Sequence, residues 1–429
     1  MGGMSDKLTA AGEQLLREQT IDEHGPGTIL SDFAVLLDYL ATHKVAAGGK
    51  NQLLPINILP ELNALLARSI DVRLKRPVQK SFPHLNGLYL LLRVTGLVRL
   101  VAEGKARLLT PNAMLCQTWR AMNLTEQYFT LLEAWLLHGS TEILGERDSQ
   151  GALSKVMGLF GRLKKGRINV GGSKDWDVNT LRYIPGWHNL ALLEMFGWVK
   201  ITTGKTPAGE GWTIKSITPT AWGLAALELI LRSQPDGQAL LSQMFAASFL
   251  LFDDEPEPSD KAEFNALQPM FQPYFPAWQN ILKLEIHQFT AGIYTFKAVL
   301  KRYAAWRRIT IPGDFVLENL SDVILYAFDF DNDHLHEFTY RNHFGRTVRA
   351  GHSYMEEKIT SADVRIGEVP LTPGETMNYL FDFGDSWEFD VTLESIAPPD
   401  PKVKETHIIE THGKAPGQYP DWDDDEDDE

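Results

Sequence analysis

The chain holds one cysteine, Cys116, among 429 residues, so it can form no internal disulfide and must draw its stability from packed cores. It has no apolar run approaching the roughly 18 residues that cross a bilayer, which excludes a helical membrane span. The opening residues Met1-Gly2-Gly3-Met4-Ser5-Asp6-Lys7 carry no apolar signal core, and with the lone thiol they point to a reducing cytoplasm. Positive charge is also short, the net being −15. What is present is ordinary for a globular protein: 44% hydrophobic and 23% charged residues, at a length that suits two to four domains.

The shortage of cations is uneven. Residues 1–250 hold 26 Lys and Arg against 21 Asp and Glu, whereas the remainder holds 15 against 35. Part of the acidic excess is the run Asp421-Trp422-Asp423-Asp424-Asp425-Glu426-Asp427-Asp428-Glu429, a self-repelling block expected to be disordered. A basic half points to an anionic partner; a tail that only aids solubility gives the same split.

A second acidic stretch, Phe252-Asp253-Asp254-Glu255-Pro256-Glu257-Pro258-Ser259-Asp260, reads as a linker because its prolines forbid a continuous helix. Upstream, helical spacing occurs in Phe33–Leu40 (opened by Ser31 or Asp32), in Thr125–Leu137 and in Ala239–Leu251. An internal repeat is more telling. Leu91-Leu92-Arg93-Val94-Thr95-Gly96-Leu97-Val98-Arg99-Leu100 parallels Leu192-Leu193-Glu194-Met195-Phe196-Gly197-Trp198-Val199-Lys200-Ile201, and each copy is followed by Thr-Pro-X-Ala, at Thr110–Ala113 and Thr218–Ala221. The pattern predicts a helix stopped by glycine, a strand, a hairpin and a return strand, with Thr110 and Thr218 capping the next helix. That order resembles a winged helix-turn-helix, present twice.

In a winged helix the helix before the glycine enters the major groove and the wing touches phosphate. The first copy offers Arg93 on that helix with Lys105 and Arg107 in the wing; the second offers Lys200 and Lys205. Two basic runs precede the copies, Arg73, Lys75 and Arg76 before the first and Arg162, Lys164, Lys165 and Arg167 before the second. Clustered cations suit phosphate neutralisation, although either run alone is what a solvated face looks like. The helices are apolar for DNA readers, notably Leu88–Leu92, which leaves open a protein-packing role for at least one copy.

The acidic half concentrates its polar residues in two segments, Asp331-Asn332-Asp333-His334-Leu335-His336-Glu337-Phe338 and Phe381-Asp382-Phe383-Gly384-Asp385-Ser386-Trp387-Glu388-Phe389. Strand alternation would bring His334 and His336 to one face with Asp382 or Asp385 nearby, a donor set that could hold a metal. The same residues, with Trp306, Arg308, Asp333, Glu337 and Trp387, equally suit a ligand pocket or a buried hydrogen-bond network with Asp385 as acceptor. Asp382-Phe383-Gly384 spells a kinase magnesium motif but no phosphate loop accompanies it, and its flanks read as a hairpin turning at Gly384-Asp385. In Trp306-Arg307-Arg308, alternation sets Trp306 and Arg308 on one face and Arg307 on the other; an arginine near Asp331, Asp333 or Glu337 is expected to form a charge-assisted pair, with an anionic ligand as the alternative.

Several blocks in order carry a family resemblance: Tyr294-Thr295-Phe296-Lys297, Trp306-Arg307-Arg308-Ile309, Ile311-Pro312-Gly313-Asp314, Asp333–Phe338, Pro373-Gly374 and Phe381–Trp387. Over about Leu282 to Tyr419 the chain resembles the plasmid pRiA4b ORF-3-like family, sometimes labelled a passenger of transposable elements. Two departures stand out. Ala304 and Ala305 replace the family's proline pair, and its cysteine-containing Gly-Pro-Pro-Gly-Tyr stretch is reduced to Ala415-Pro416-Gly417-Gln418-Tyr419. The resemblance implies an α+β fold and the context of a mobile element or defence locus; it implies no reaction.

The expected architecture is multidomain α+β. A mainly α-helical N-terminal region carries two winged-helix-like units (1–140 and 141–251), followed by an acidic linker (252–280), a pRiA4b ORF-3-like α+β domain (281–419) and a disordered acidic tail (420–429). The expected function is that of a non-enzymatic, cytoplasmic, DNA-associated regulatory or accessory protein without a cofactor. The alternatives are a metal-dependent hydrolase or nuclease built on His334, His336 and Asp385, and a protein-interaction scaffold with a protein partner. No membrane partner is expected, and the sequence is silent on oligomeric state.

Overall fold

The computed structural model describes residues 8–104, 106–146, 151–163, 166–171, 178–232, 266–279, 282, 289–342, 347–355 and 359–419. The chain divides into two compact units, Met1–Leu284 and Glu285–Glu429. Residues 1–140 and 141–251, expected as separate domains, therefore share one unit. Among the described residues no helix is long and apolar enough to cross a membrane.

The N-terminal unit runs α1 (Ala10–Glu18), α2 (Ile29–Thr42), α3 (Leu59–Leu65), α4 (Pro83–Val94), β1 (Val98–Glu103), β2 (Ala106–Pro111), α5 (Ala113–Ala121), α6 (Leu124–Leu136) and α7 (Ala152–Leu163). It continues with β3 (Ile168–Asn169), α8 (Val178–Tyr183), α9 (Trp187–Met195), β4 (Val199–Thr203), β5 (Ile214–Pro219), α10 (Ala221–Arg232) and α11 (Gln268–Phe271). The repeat is visible as helix, antiparallel hairpin, helix: α4–β1–β2–α5 and α9–β4–β5–α10. Gly96 and Gly197, each just past the end of its helix, have φ of 65° and 73°, a conformation that glycine adopts without a Cβ penalty. The Thr-Pro exits differ from expectation. Thr110 and Thr218 stay in the ladder opposite Arg99 and Lys200, and Pro111 and Pro219 close the strands. The caps fall two residues later: Asn112 accepts from Leu115 N–H and Thr220 Oγ1 from Gly223 N–H at 2.9 Å.

The expected helix over 239–251, the linker residues 252–265 and the tail 420–429 lie outside the described residues. The rest of the expected linker is no linker. Phe271, Phe275 and Trp278 surround Phe129 of α6 with ring centroids 4.7–4.9 Å away, and Leu267 N–H donates to Glu133 Oε1 at 2.6 Å. Three aromatics buried against one helix outweigh the turn propensity of Pro269 and Pro273.

Glu133 lies wholly inside this contact, and its Oε2 has no hydrogen-bond partner. Burial pushes its carboxyl up to about 8, opposed only by the Leu267 N–H bond. A carboxyl raised above its unfolded value of 4.5 stabilises the fold while neutral, and that contribution drains as pH rises from 4.5 through 8. Glu133→Gln keeps the neutral shape. It should raise stability by about 2–3 kcal/mol near pH 8 and by little near pH 5, read from urea melts at the two pH values. An equal effect at both would show that Glu133 does not titrate in this window.

Among its described residues the C-terminal unit forms one antiparallel sheet of seven strands: β6 (Ile293–Leu300), β7 (Ala305–Pro312), β8 (His336–Arg341), β9 (Thr347–Gly351), β10 (Thr376–Phe381), β11 (Trp387–Ala397) and β12 (His407–His412). The strand order is β12-β7-β6-β11-β10-β8-β9, and the helix α12 (Leu317–Phe328) covers one face. Tyr294, Phe296, Ala298 and Leu300 of β6 point to that core with Ile309 and Ile311 of β7, and Leu320, Ile324 and Phe328 of α12 close it. The intervening Thr295, Lys297, Trp306, Arg308 and Thr310 line the other, half-exposed face, as period-two alternation requires.

Candidate nucleic-acid interface and C-terminal polar cluster

In the N-terminal unit, cations from three distant stretches are tied to one hairpin. Val199, Ile201 and Ile214 turn inward, so alternation leaves Lys200 and Lys215 outside. β3 pairs with the free edge of β5, Ile168 opposite Ile217, which sets Arg167 beside that sheet. The hairpin's tip is held by the segment before α4: Arg73 N–H donates to Glu210 O at 2.9 Å, Gly209 N–H to Arg73 O at 3.0 Å and Thr206 Oγ1 to Asp71 O at 3.0 Å. Lys205, Lys75 and Arg76 thereby come to the same hairpin. Lys75, Arg76, Arg167, Lys200, Lys205 and Lys215 are exposed and enter no ion pair among the described residues, while Arg73 pairs with Asp71 at 2.8 Å. Arg162 is exposed at the end of α7; Lys105, Lys164 and Lys165 lie outside the described residues.

The first hairpin is differently occupied. Residues Val45–Ala47 run along β2, with Leu109 N–H donating to Val45 O at 2.9 Å and Ala47 N–H to Arg107 O at 2.8 Å. Lys44 is bonded to Glu103 near the tip. Arg107 is half-buried beside this strand. Arg93, expected on a groove-facing helix, instead donates to Tyr89 Oη at 3.0 Å, and Tyr89 donates in turn to Gln52 O. The helix itself is turned inward: every residue of α4 except Arg93 is buried, as is every residue of α9 except Trp187. Arg93 is thus corrected from a base reader to an internal contact. The cause is mutual burial of two apolar helices, with Gly87 seated on Leu192 at a virtual Cβ distance of 2.8 Å.

In the C-terminal unit the two histidines part company. β8 begins at His336, so the alternation expected to align His334 with it does not reach that far back. His336 is buried: Nε2 meets Ser361 Oγ at 2.9 Å and Nδ1 meets Ser321 Oγ at 3.3 Å, and Ser321 Oγ lies 2.6 Å from Tyr379 Oη. This chain links α12, β8, β10 and the 359–365 loop through the core. Burial, with the His352 ring 4.9 Å away, lowers the His336 imidazole to about 4. His334 is half-exposed in the loop before β8, with Nε2 3.6 Å from Asp382 Oδ2 and 3.9 Å from Asp333 Oδ1.

Asp382 opens the β10–β11 turn at φ 55°, and its Oδ1 accepts from Gly384 N–H at 2.8 Å and more distantly from Asp385 N–H at 3.4 Å. The expected hairpin is there, but the capping carboxylate is Asp382, and Asp385 stands exposed at the tip. His334, His336 and Asp385 therefore do not converge. Among the described residues no three His, Cys, Asp or Glu side chains are gathered to hold a metal.

Arg308 pairs with acids as expected, but with Glu394 at 2.6 Å and with Glu410, not with Asp331, Asp333 or Glu337. The reason is sheet order: β7 lies between β6 and β12, and three strands, β6, β11 and β10, separate it from β8. Glu337 turns to Thr339 Oγ1 at 3.1 Å and Arg349 at 4.0 Å. Trp306 stacks on His412 at 5.3 Å with Lys297 Nζ 4.3 Å over its ring, and Trp387 packs edge-on to Phe330 at 4.9 Å with its indole N–H unbonded. Sequence reasoning missed Ser321, Ser361 and Tyr379, which lie in three separate stretches and carry no motif of their own. It also missed Gln418 and Tyr419, which fasten the last described residues to the 331–333 loop. Gln418 Oε1 accepts from Asp331 N–H at 2.5 Å and Tyr419 bonds Asp333, whose carboxyl is thereby held below its usual value. The signal for these two was present in the short family stretch 415–419.

This sheet, its helix α12 and the closing Gln418-Tyr419 clasp lie within a segment that is similar to a known family. Residues 293–419 match the model of the plasmid pRiA4b ORF-3-like protein. In agreement, 98 residues are 29% identical to the uncharacterised protein y4hQ of Sinorhizobium fredii, a match covering 21% of this chain and 47% of that protein. The chain thus spans about half the length of the curated relative it matches. A crystal structure of a protein of unknown function from Methanosarcina mazei Go1 is also similar, at 25% identity and a TM-score of 0.27, over 29% of this chain and 71% of that one.

Proposed function

We propose that this protein is a non-enzymatic, cytoplasmic, DNA-associated accessory or regulatory protein. Its N-terminal unit carries two winged-helix-like units, and the second wing neutralises phosphate. The observation that carries this reading is the convergence of Lys75 and Arg76, of Arg167, and of Lys200, Lys205 and Lys215 on the β4–β5 hairpin, exposed and, among the described residues, in no ion pair. Cations left unpaired around an exposed hairpin suit a polyanion, whose bound counterions are released on contact. The likeness of residues 293–419 to a plasmid-encoded family is compatible with a mobile element or defence locus as the setting.

The test is a titration of the full chain against duplex DNA at increasing salt. With four to six phosphates neutralised, log K should fall against log salt with a slope of about −4 to −5, a loss of about 10²–10³ between 50 and 200 mM. No binding at about 50 mM salt would sink the reading.

A further inference from the structure

We infer that the N-terminal unit contacts duplex DNA through its phosphates alone, from the β4–β5 hairpin, and that neither α4 nor α9, the helices in the position of recognition helices, reads base edges. The inference rests on the DNA reading above and adds the mode of recognition. Direct readout needs an exposed helix or strand whose side chains present free donors and acceptors to the major groove. The two helices in the position of recognition helices fail that requirement for two independent reasons.

The first is burial. Only Arg93 of α4 and Trp187 of α9 escape it, and a helix buried all round has no face to insert into a groove. The second is that their polar groups are spent on each other and on the surrounding chain. His84 Nε2 meets Glu194 Oε2 at 3.1 Å, and Arg68 donates to Glu194 Oε1 at 2.8 Å. Gln79 donates to Asn86 Oδ1 at 2.8 Å. Asn189 accepts from Trp135 Nε1 at 2.8 Å and donates to Pro185 O at 2.8 Å. Freeing α4 or α9 would break these buried bonds and open the joint core, at a cost no set of base contacts on so few residues offsets.

The two hairpins then differ in what they can offer. The β1–β2 hairpin has the Val45–Ala47 segment on one edge and Lys44 bonded to Glu103. The β4–β5 hairpin has Lys200, Lys205 and Lys215 outside, Arg167 beside it and Lys75 and Arg76 behind its tip. Lysine is a flexible point charge that finds phosphate oxygens without discriminating bases.

The experiment uses the full chain against a random pool of duplexes at about 50 mM salt, a condition that favours phosphate contacts, alongside the double variant Lys205→Glu, Lys215→Glu. Both lysines are exposed, and a thermal melt checks that the variant folds. No motif should be enriched, unrelated duplexes should bind within about 3-fold of one another, and the double variant should bind every duplex about 10–100-fold more weakly. An enriched motif bound about 30-fold or more above scrambled DNA would overturn the phosphate-only mode while leaving the DNA reading intact. A double variant that folds and binds like the wild type would overturn the assignment to this hairpin. Failure to bind any duplex would overturn the DNA reading itself and this inference with it.

Discussion

Replacing Gly27 by alanine is expected to cost the N-terminal unit on the order of 4 kcal/mol, a large fraction of the stability of an ordinary domain. Gly27 sits at φ 75° where the chain crosses the end of α9, and a Cβ there would stand 2.0 Å from Met195 O and 2.5 Å from Gly197 N. Both atoms are backbone, so no side chain can swing aside. The crossing is fixed from its other side as well, since Thr28 N–H donates to Met195 O at 2.7 Å and a Cβ on Gly197 would lie 2.7 Å from Gly27 N. Gly49 is the control. It has φ 67° but nothing within 4 Å of its virtual Cβ, so Gly49→Ala should cost only about 1 kcal/mol of local strain. Urea unfolding of the two variants measures the difference; equal costs would show that the close approach to α9 is not what the fold depends on.

The second large effect is expected at His336. Its imidazole is lowered to about 4 from an ordinary 6.5, so it is neutral in the fold and charged in the unfolded chain below 6.5. The unfolded state then binds more protons, and the C-terminal unit loses up to about 3 kcal/mol as pH falls from 6.5 to 4. His336→Ala removes that loss together with the bonds to Ser321 and Ser361 and leaves a cavity among Phe338, Tyr379 and His352. At pH 7 the variant should be about 3–4 kcal/mol less stable than the wild type. Near pH 4 the gap should shrink to about 1 kcal/mol or less, because the wild type has by then lost its own advantage. A gap that stays constant across the range would rule out His336 as the titrating group. Melts of the full chain followed at several pH values, with the C-terminal transition resolved, supply the comparison.

These two positions also show what could and could not be read in advance. Gly197 was legible, because a glycine after an apolar helix marks a left-handed stop; its partner Gly27, 170 residues upstream, was not, because no local pattern reports which chain will cross there. His336 was legible as part of a polar cluster, but its role was not. Sequence spacing paired it with His334 across an assumed strand, and the strand begins two residues too late for that pairing. Likewise Arg308 was expected to find an acid. Which acid depended on strand order, which sets Glu394 and Glu410 beside it and the 331–337 acids elsewhere.

By itself the sequence determined the local repertoire of this protein: the repeated helix–glycine–hairpin units, the alternation of β6 and β7, the hairpin at Asp382–Ser386 and the family likeness of the C-terminal unit. Each of these is set by contacts within a few residues or by a motif that survives as a string. Only the tertiary structure decided which faces are free. It sealed α4 against α9, turned the end of the expected linker into an aromatic plug on α6, scattered the expected metal donors and gathered cations from three stretches onto one hairpin. Those outcomes depend on which apolar surfaces find each other over more than a hundred residues. Burial is non-directional and leaves no local mark on the residues it brings together.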